Sequence, residues 1–299
     1  MQNEKTNLSQ TRKLVEGALM VAVATVLSLI KLAELPYGGS ITIASMLPIL
    51  LFSYRAGIGW GLGAGLTYGV IQQLLGLKNL SYFTSWQSIV AVILLDYLLA
   101  FAVIGLGGIF RPLVRRQGGA LAAGAAFVCV LRYACHVLSG ATVWAGLSIP
   151  TGAALAYSFI YNATYMLPES IVLIAAALYL GSVFDFRRAE PLRVVSARAK
   201  EGGAQALLPI LAAALGVGAL IYDTVAVFSR LQNAETGAFD IAGLAAESFA
   251  ASVWPGVLIV SASAALAAAA LLAVRRVLRA KGGEEGRAEN EQRNGDEVG

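Results

Sequence analysis

The chain has 299 residues, 58% of them hydrophobic and only 13% charged, with a mean hydropathy of +0.70. That balance excludes a water-soluble globular domain and points to a polytopic membrane protein. The formal net charge of +4 is too small and too dispersed to read as a nucleic-acid-binding patch.

A bilayer-spanning helix needs about 20 mostly apolar residues. Eight stretches suggest themselves: 14–33, 41–54, 58–76, 88–109, 120–141, 157–183, 204–228 and 248–274. The first follows Arg12 and Lys13 and runs on without a small-residue cleavage site, so it reads as a membrane helix and not as a signal peptide. The third holds "GIGWGLGAGLTYG", whose glycines suit close helix packing. In the fifth, Cys129 and Cys135 lie six residues apart, on different faces of a helix, and read as small packing residues. With one histidine in the chain, a cysteine–histidine metal cluster is excluded.

After residue 190 the character changes. "RRAEPLRVVSARAKEGGAQ" reads as a polar linker, and the two helices that follow are rich in alanine. "RLQNAETGAFDIAGLAAES" between them reads as a connection with a short amphipathic turn, and the tail "KGGEEGRAENEQRNGDEVG" as disordered. The expected organisation is a six-helix unit over 1–189, a linker over 190–203, an extra helix pair over 204–281 and a disordered tail over 282–299.

Lysine and arginine placement sets the orientation. With the N-terminus inside, the cytoplasmic segments receive Lys5, Arg12 and Lys13; Arg55; Arg111, Arg115 and Arg116; Arg187, Arg188, Arg193, Arg198 and Lys200; and Arg275, Arg276, Arg279 and Lys281. The opposite side receives Lys31, Lys78 and Arg230. By the positive-inside rule both termini are cytoplasmic. No phosphate-binding loop and no metalloprotease or nucleophile-elbow motif occurs, so ATP-driven transport would require a separate ATPase.

Intramembrane polarity gathers in three places: Asp96 and Tyr97 in the fourth stretch; Arg132, Tyr133, His136, Ser139 and Trp144 along the fifth; and Tyr157, Tyr161, Asn162, Tyr165 and Glu169 along the sixth. Arg132 and His136, four apart, share a helix face. Ionisable groups in a membrane helix mark a polar cavity by default. Arg132 reads first as the structural partner of Glu169 or Asp96, and Trp144 equally as an interfacial aromatic or as a cavity wall. A carboxylate among aromatic faces, an amide and an imidazole suits a small, flat, cationic molecule.

The segments "YGGSITIASMLPILLFSYRAG", "LLDYLLAF", "RYACHVLSGATVWAG" and "YSFIYNATYMLPES" together resemble the thiamine-specific substrate-binding (S) components of energy-coupling factor (ECF) transporters, over roughly residues 10 to 185. The resemblance implies an all-α S-component bundle of six helices, here followed by two additional C-terminal transmembrane helices. It implies thiamine as ligand, no cofactor and no catalysis. Its partners would be the bilayer of the cell membrane, a transmembrane coupling protein and two ATPase subunits. The family's binding residues fall on Asp96, Tyr97, His136, Trp144, Tyr157 and Asn162. Where some relatives have a glutamate beside the tyrosine this chain has Asp96, and where they place a tryptophan and a glutamate in the first outer loop and at the start of the second helix it has Gly39 and Ile43. Tyr37 or Trp86 is therefore expected to supply the missing aromatic wall. Ala18 and Ala22, in "EGALMVAVAT", match the small-residue pattern presented to the coupling protein. Two rival readings remain: an S component for another vitamin or a thiamine precursor, and a stand-alone proton-coupled carrier using Asp96 or Glu169. An intramembrane enzyme built on His136 lacks a second histidine, a nucleophile motif and a metal set.

Overall fold

The computed structural model describes residues 9–35, 39–83, 85–146, 151–193, 203–231 and 251–296. Two compact units divide the chain, Met1–Val194 and Val195–Gly299, so the break falls inside the expected linker.

Among the described residues the first unit has six long helices, α1 (Gln10–Leu29), α2 (Leu47–Ala56), α3 (Ile58–Leu75), α4 (Trp86–Phe110), α5 (Gln117–Gly146) and α6 (Thr151–Val183), with a short 3-10 helix over Leu77–Tyr82. α1 starts four residues before its expected position because Ser9 caps it, its hydroxyl accepting from the Arg12 N–H at 3.3 Å. At its far end the chain leaves the helix for a hairpin, β1 (Lys31–Glu34) against β2 (Ser40–Thr42), which the apolar pattern had merged into the flanking helices. α2 consequently begins only at Leu47, with Pro48 in its first turn, where a missing N–H costs nothing.

Five helical spans among the described residues are long and apolar enough to cross a bilayer, three here and two in the second unit. Large apolar side chains such as Leu19, Val26, Leu138 and Leu178 are exposed on the outside of the bundle, the surface lipid would cover. Phe52, Leu50, Leu121, Val128 and Leu173 fill the interior.

α4 is not a uniform helix. It opens as an α-turn (Trp86–Ala91), widens into π-helix over Val92–Leu99, and tightens to 3-10 geometry over Val103–Phe110. It is received by the glycine stripe of α3. A methyl group placed on Gly61, Gly65 or Gly69 would stand 2.6 Å from the carbonyl oxygen of Gly105, Phe101 or Tyr97 respectively. The two backbones therefore touch, and the packing use expected of these glycines is what the structure has.

At the end of the bundle opposite β1 and β2, arginines tie the chain ends together. The buried Arg55 pairs with Glu16 and donates to the carbonyls of Phe186, Arg188 and Ala189. Arg111 donates to those of Tyr54 and Arg55.

The second unit contains α7 (Gly203–Leu231) and α8 (Trp254–Asp296), packed on each other, with Ser261 donating to Asp223 between them. The helical backbone of α8 continues to Asp296, through residues where Glu, Ala, Arg and Gln favour helix without needing an apolar face. The connection between the pair falls largely on 232–250, outside the described residues.

The stripe yields a paired test. Gly65→Ala should force α3 and α4 apart and lower stability by about 1–3 kcal/mol, whereas Gly63→Ala, with nothing within 4 Å of its added methyl, should stabilise by about 0.5–1 kcal/mol. Thermal melts in detergent check the opposite signs.

Candidate functional site

A cavity of about 290 Å³ opens at the β1–β2 end of the bundle, just below the roughly 300–1,000 Å³ typical of ligand sites. Its walls come from the last turns of α1 and α3, the π-segment of α4, the second half of α5 and the first half of α6. The π-turn has a local consequence. Val92, Asp96, Tyr97 and Phe101, four and five residues apart, all line the cavity, a spread that the wider turn allows.

Asp96 and His136 meet across α4 and α5. His136 Nδ1 lies 2.8 Å from Asp96 Oδ1, and Ser139 donates to Asp96 Oδ2 at 2.8 Å. One turn along α5, Arg132 places Nη2 3.3 Å from His136 Nε2 and Nη1 3.8 Å from Glu169 Oε2. Nη1 also donates to Met46 Sδ at 2.6 Å, and the guanidinium carbon stands 4.5 Å from the centre of the Phe101 ring. Glu169 accepts from Thr42 at 2.7 Å. Of the two carboxylates open to Arg132 from sequence, Glu169 is the partner, and Asp96 is held instead by His136 and Ser139.

Arg132, His136 and Glu169 are buried, while the Asp96 side chain keeps 24% of its surface. A guanidinium and two carboxylates leave one net negative charge at this depth when the imidazole is neutral. Lys31 and Lys78 also line the cavity but are exposed, and Lys31 is paired with Glu34 at 2.8 Å. Water screens them far more than it screens the buried cluster.

The aromatic wall is Tyr68, Phe83, Tyr97, Phe101, Tyr161 and Tyr165. Tyr165 donates to Asn162 Oδ1 at 2.5 Å, and Asn162 Nδ2 donates to Ser158 O at 2.8 Å. Gly39 N–H donates to the Tyr161 hydroxyl at 3.2 Å, tying the hairpin to α6, and Asn79 donates to the Tyr97 hydroxyl at 3.3 Å.

Of the residues expected from sequence, Asp96, Tyr97, His136 and Asn162 line the cavity together, with Arg132 and Glu169 beneath. Tyr157 is buried outside the lining and stacks on Tyr161 with ring centres 6.2 Å apart. Trp86 does not supply an aromatic wall: it is 70% exposed at the start of α4 and off the lining. Its position follows from the start of α4, which Ser85 caps, so that the ring stands six residues before the π-segment. Tyr37 and the Trp144 side chain lie outside the described residues. Sequence reading passed over Tyr68, Gln72 and Thr42. Tyr68 and Gln72 sit in or just after the glycine-rich stretch read as packing, and only the helical spacing of four between them hinted at a shared face.

The sequence model of the family described as "Thiamine transporter protein (Thia_YuaJ)" matches residues 14–185. The chain belongs to the thiamine transporter family. It is a multi-pass membrane protein of a transporter family, not an enzyme. The thiamine transporter ThiT of Bacillus subtilis (strain 168) is 39% identical over 175 residues, covering 54% of this chain and 86% of that protein. A solved ThiT from Listeria monocytogenes is 26% identical, covering 56% of this chain and 92% of its own, with a TM-score of 0.46. Residues beyond 185, including α7 and α8, lie outside the family match.

Removing one partner of a buried ion pair strands the other and costs about 3–5 kcal/mol. Arg132→Ala should therefore melt early in ligand-free thermal scans. His136→Ala should melt closer to the parent, because the partly exposed Asp96 keeps Ser139 and can take up water. Equal melting of Arg132→Ala and the parent would refute this ordering.

Proposed function

We propose that this chain is the thiamine-binding S component of an ECF-type importer, resident in the cell membrane with both termini cytoplasmic. The observation that carries the reading is the partly exposed Asp96 carboxylate set among the aromatic rings of the cavity. Thiamine carries one positive charge on its thiazolium ring, joined to a flat aminopyrimidine. Asp96 offers the counter-charge and a hydrogen-bond acceptor, Tyr97 and Trp144 offer ring faces, and Tyr157 backs Tyr161 from behind. His136 and Asn162 complete the polar wall. Tyr37 is the remaining residue proposed to supply the aromatic wall.

Delivery would depend on other chains. Ala18 and Ala22 are exposed, four apart on α1, and form a flat strip on which a coupling protein's helix can approach closely. Such a protein and two ATPases would supply the energy, since this sequence has no nucleotide loop.

Titration calorimetry of the purified chain with thiamine should give saturable binding at sub-micromolar concentration, roughly −8 kcal/mol or stronger, and Asp96→Asn should weaken it at least about tenfold. Saturation by another vitamin or a thiamine precursor in preference would reassign the ligand. In proteoliposomes the lone chain should bind thiamine without concentrating it; concentrative uptake driven by a proton gradient would instead support the carrier.

The lining residues all lie in the first unit. A chain ending near residue 190 should therefore keep its thiamine affinity within about threefold, under about 0.7 kcal/mol. A larger loss in a truncation that still melts cooperatively would give α7 and α8 a part in the site.

A further inference from the structure

The hydrogen-bond directions around His136 determine where its proton sits. A guanidinium carries five N–H donors and no acceptor. Arg132 Nη2 faces His136 Nε2 at 3.3 Å, so that ring nitrogen must present its lone pair. An imidazole with a lone pair on Nε2 carries its hydrogen on Nδ1 and is neutral. Nδ1 points at Asp96 Oδ1, the acceptor such a hydrogen needs. The other groups around the ring fit this arrangement. Tyr165 meets it edge-on with ring centres 6.0 Å apart and has its hydroxyl on Asn162, while Glu169 is engaged by Arg132 and Thr42.

We propose that Arg132 is a positioning residue that acts through His136, holding the imidazole as the neutral Nδ1–H tautomer so that it donates to Asp96 and adds no positive charge to the cavity. Both ring nitrogens are then committed to protein. A ligand meets His136 on its ring, and the hydrogen-bonding charged group it reaches is the more exposed Asp96. The nature of that ligand rests on the thiamine reading above; the position of the proton does not.

Arg132 alone requires a bare Nε2, because it can only donate; Asp96, which can only accept, is satisfied equally by the neutral Nδ1–H ring and by the doubly protonated one, and an asparagine in its place could turn either its oxygen or its amide group to the ring. His136 is the only histidine in the chain, so protein labelled with ¹⁵N-histidine gives ring nitrogen signals that need no assignment. Spectra of the ligand-free full chain in detergent at neutral pH should show Nδ1 protonated and Nε2 bare. Asp96→Asn should keep that pattern, and Arg132→Met, which retains bulk without donors, should lose it. Adding thiamine to the parent should leave Nε2 unprotonated. The proposal is overturned by an Nε2–H or doubly protonated ring in the parent, by a switch to Nε2–H in Asp96→Asn, by an unchanged pattern in Arg132→Met, or by protonation of Nε2 on thiamine addition. If Arg132→Met does not fold, the parent and Asp96→Asn spectra still decide. Absence of thiamine binding with the Nδ1–H pattern intact would refute the ligand and leave the tautomer standing.

Discussion

A guanidinium buried inside an apolar bundle is tolerable only if its charge is matched and its terminal nitrogens find acceptors, and the placement of Arg132, whose Nη atoms are engaged while Nε, among the described residues, is not, organises much of what surrounds it. Desolvating such a group costs several kcal/mol before any compensation. Compensation comes from four elements at once: Glu169 on α6, Met46 at the foot of α2, the Phe101 ring on α4 and His136 on its own helix. Each of these contacts also fixes a piece of cavity wall. Glu169 draws in Thr42 and with it the end of the hairpin, and His136 draws in Asp96. Binding-site geometry and bundle stability thus rest on the same buried network, in which a half-satisfied member is costly.

The second constraint is steric. α4 lies against α3 at backbone contact because three successive turns of α3 present glycine to the carbonyls of Gly105, Phe101 and Tyr97, and it lies against α5, which carries His136, where Gly124 meets the carbonyl of Gly107. The π-segment then spreads Asp96 and Tyr97 along the cavity. A wider turn leaves backbone bonding less regular, and close packing on α3 and α5 holds it in place. The polar cluster needs carboxylate and imidazole within hydrogen-bond reach, the Gly107–Gly124 contact brings α4 and α5 close, and the glycine stripe of α3 supports α4 from its other side.

The two ends of the bundle have different chemistry for a physical reason. One end exposes a cavity with charged groups at its floor, and the other is closed by arginines: Arg111 donates to the carbonyls of Tyr54 and Arg55 in the last turn of α2, and Arg55 to those of Phe186, Arg188 and Ala189 in the turn beyond α6. Helix C-termini leave carbonyls without intrahelical partners, and cationic side chains satisfy them. Positive charge on that side is thus tied into the structure.

How much of this was legible beforehand follows from the range of each interaction. Hydropathy is a sum over some twenty consecutive residues, so the eight helices, the polar groups facing inward and the resemblance to thiamine transporters could all be read from the chain order alone. That Arg132 and His136 share a face needed only a spacing of four. Tertiary structure decided which carboxylate belongs to Arg132, because Asp96 and Glu169 are equivalent in sequence and differ only in which helix brings them near. It also decided that Trp86 lies outside the cavity and that Tyr68, Gln72 and Thr42 line it, since a side chain's exposure depends on neighbours far away in the chain. The hairpin and the π-turn belong to the same class. Their backbone hydrogen bonds are chosen by what packs around them, a pairing that no local pattern of apolar residues encodes.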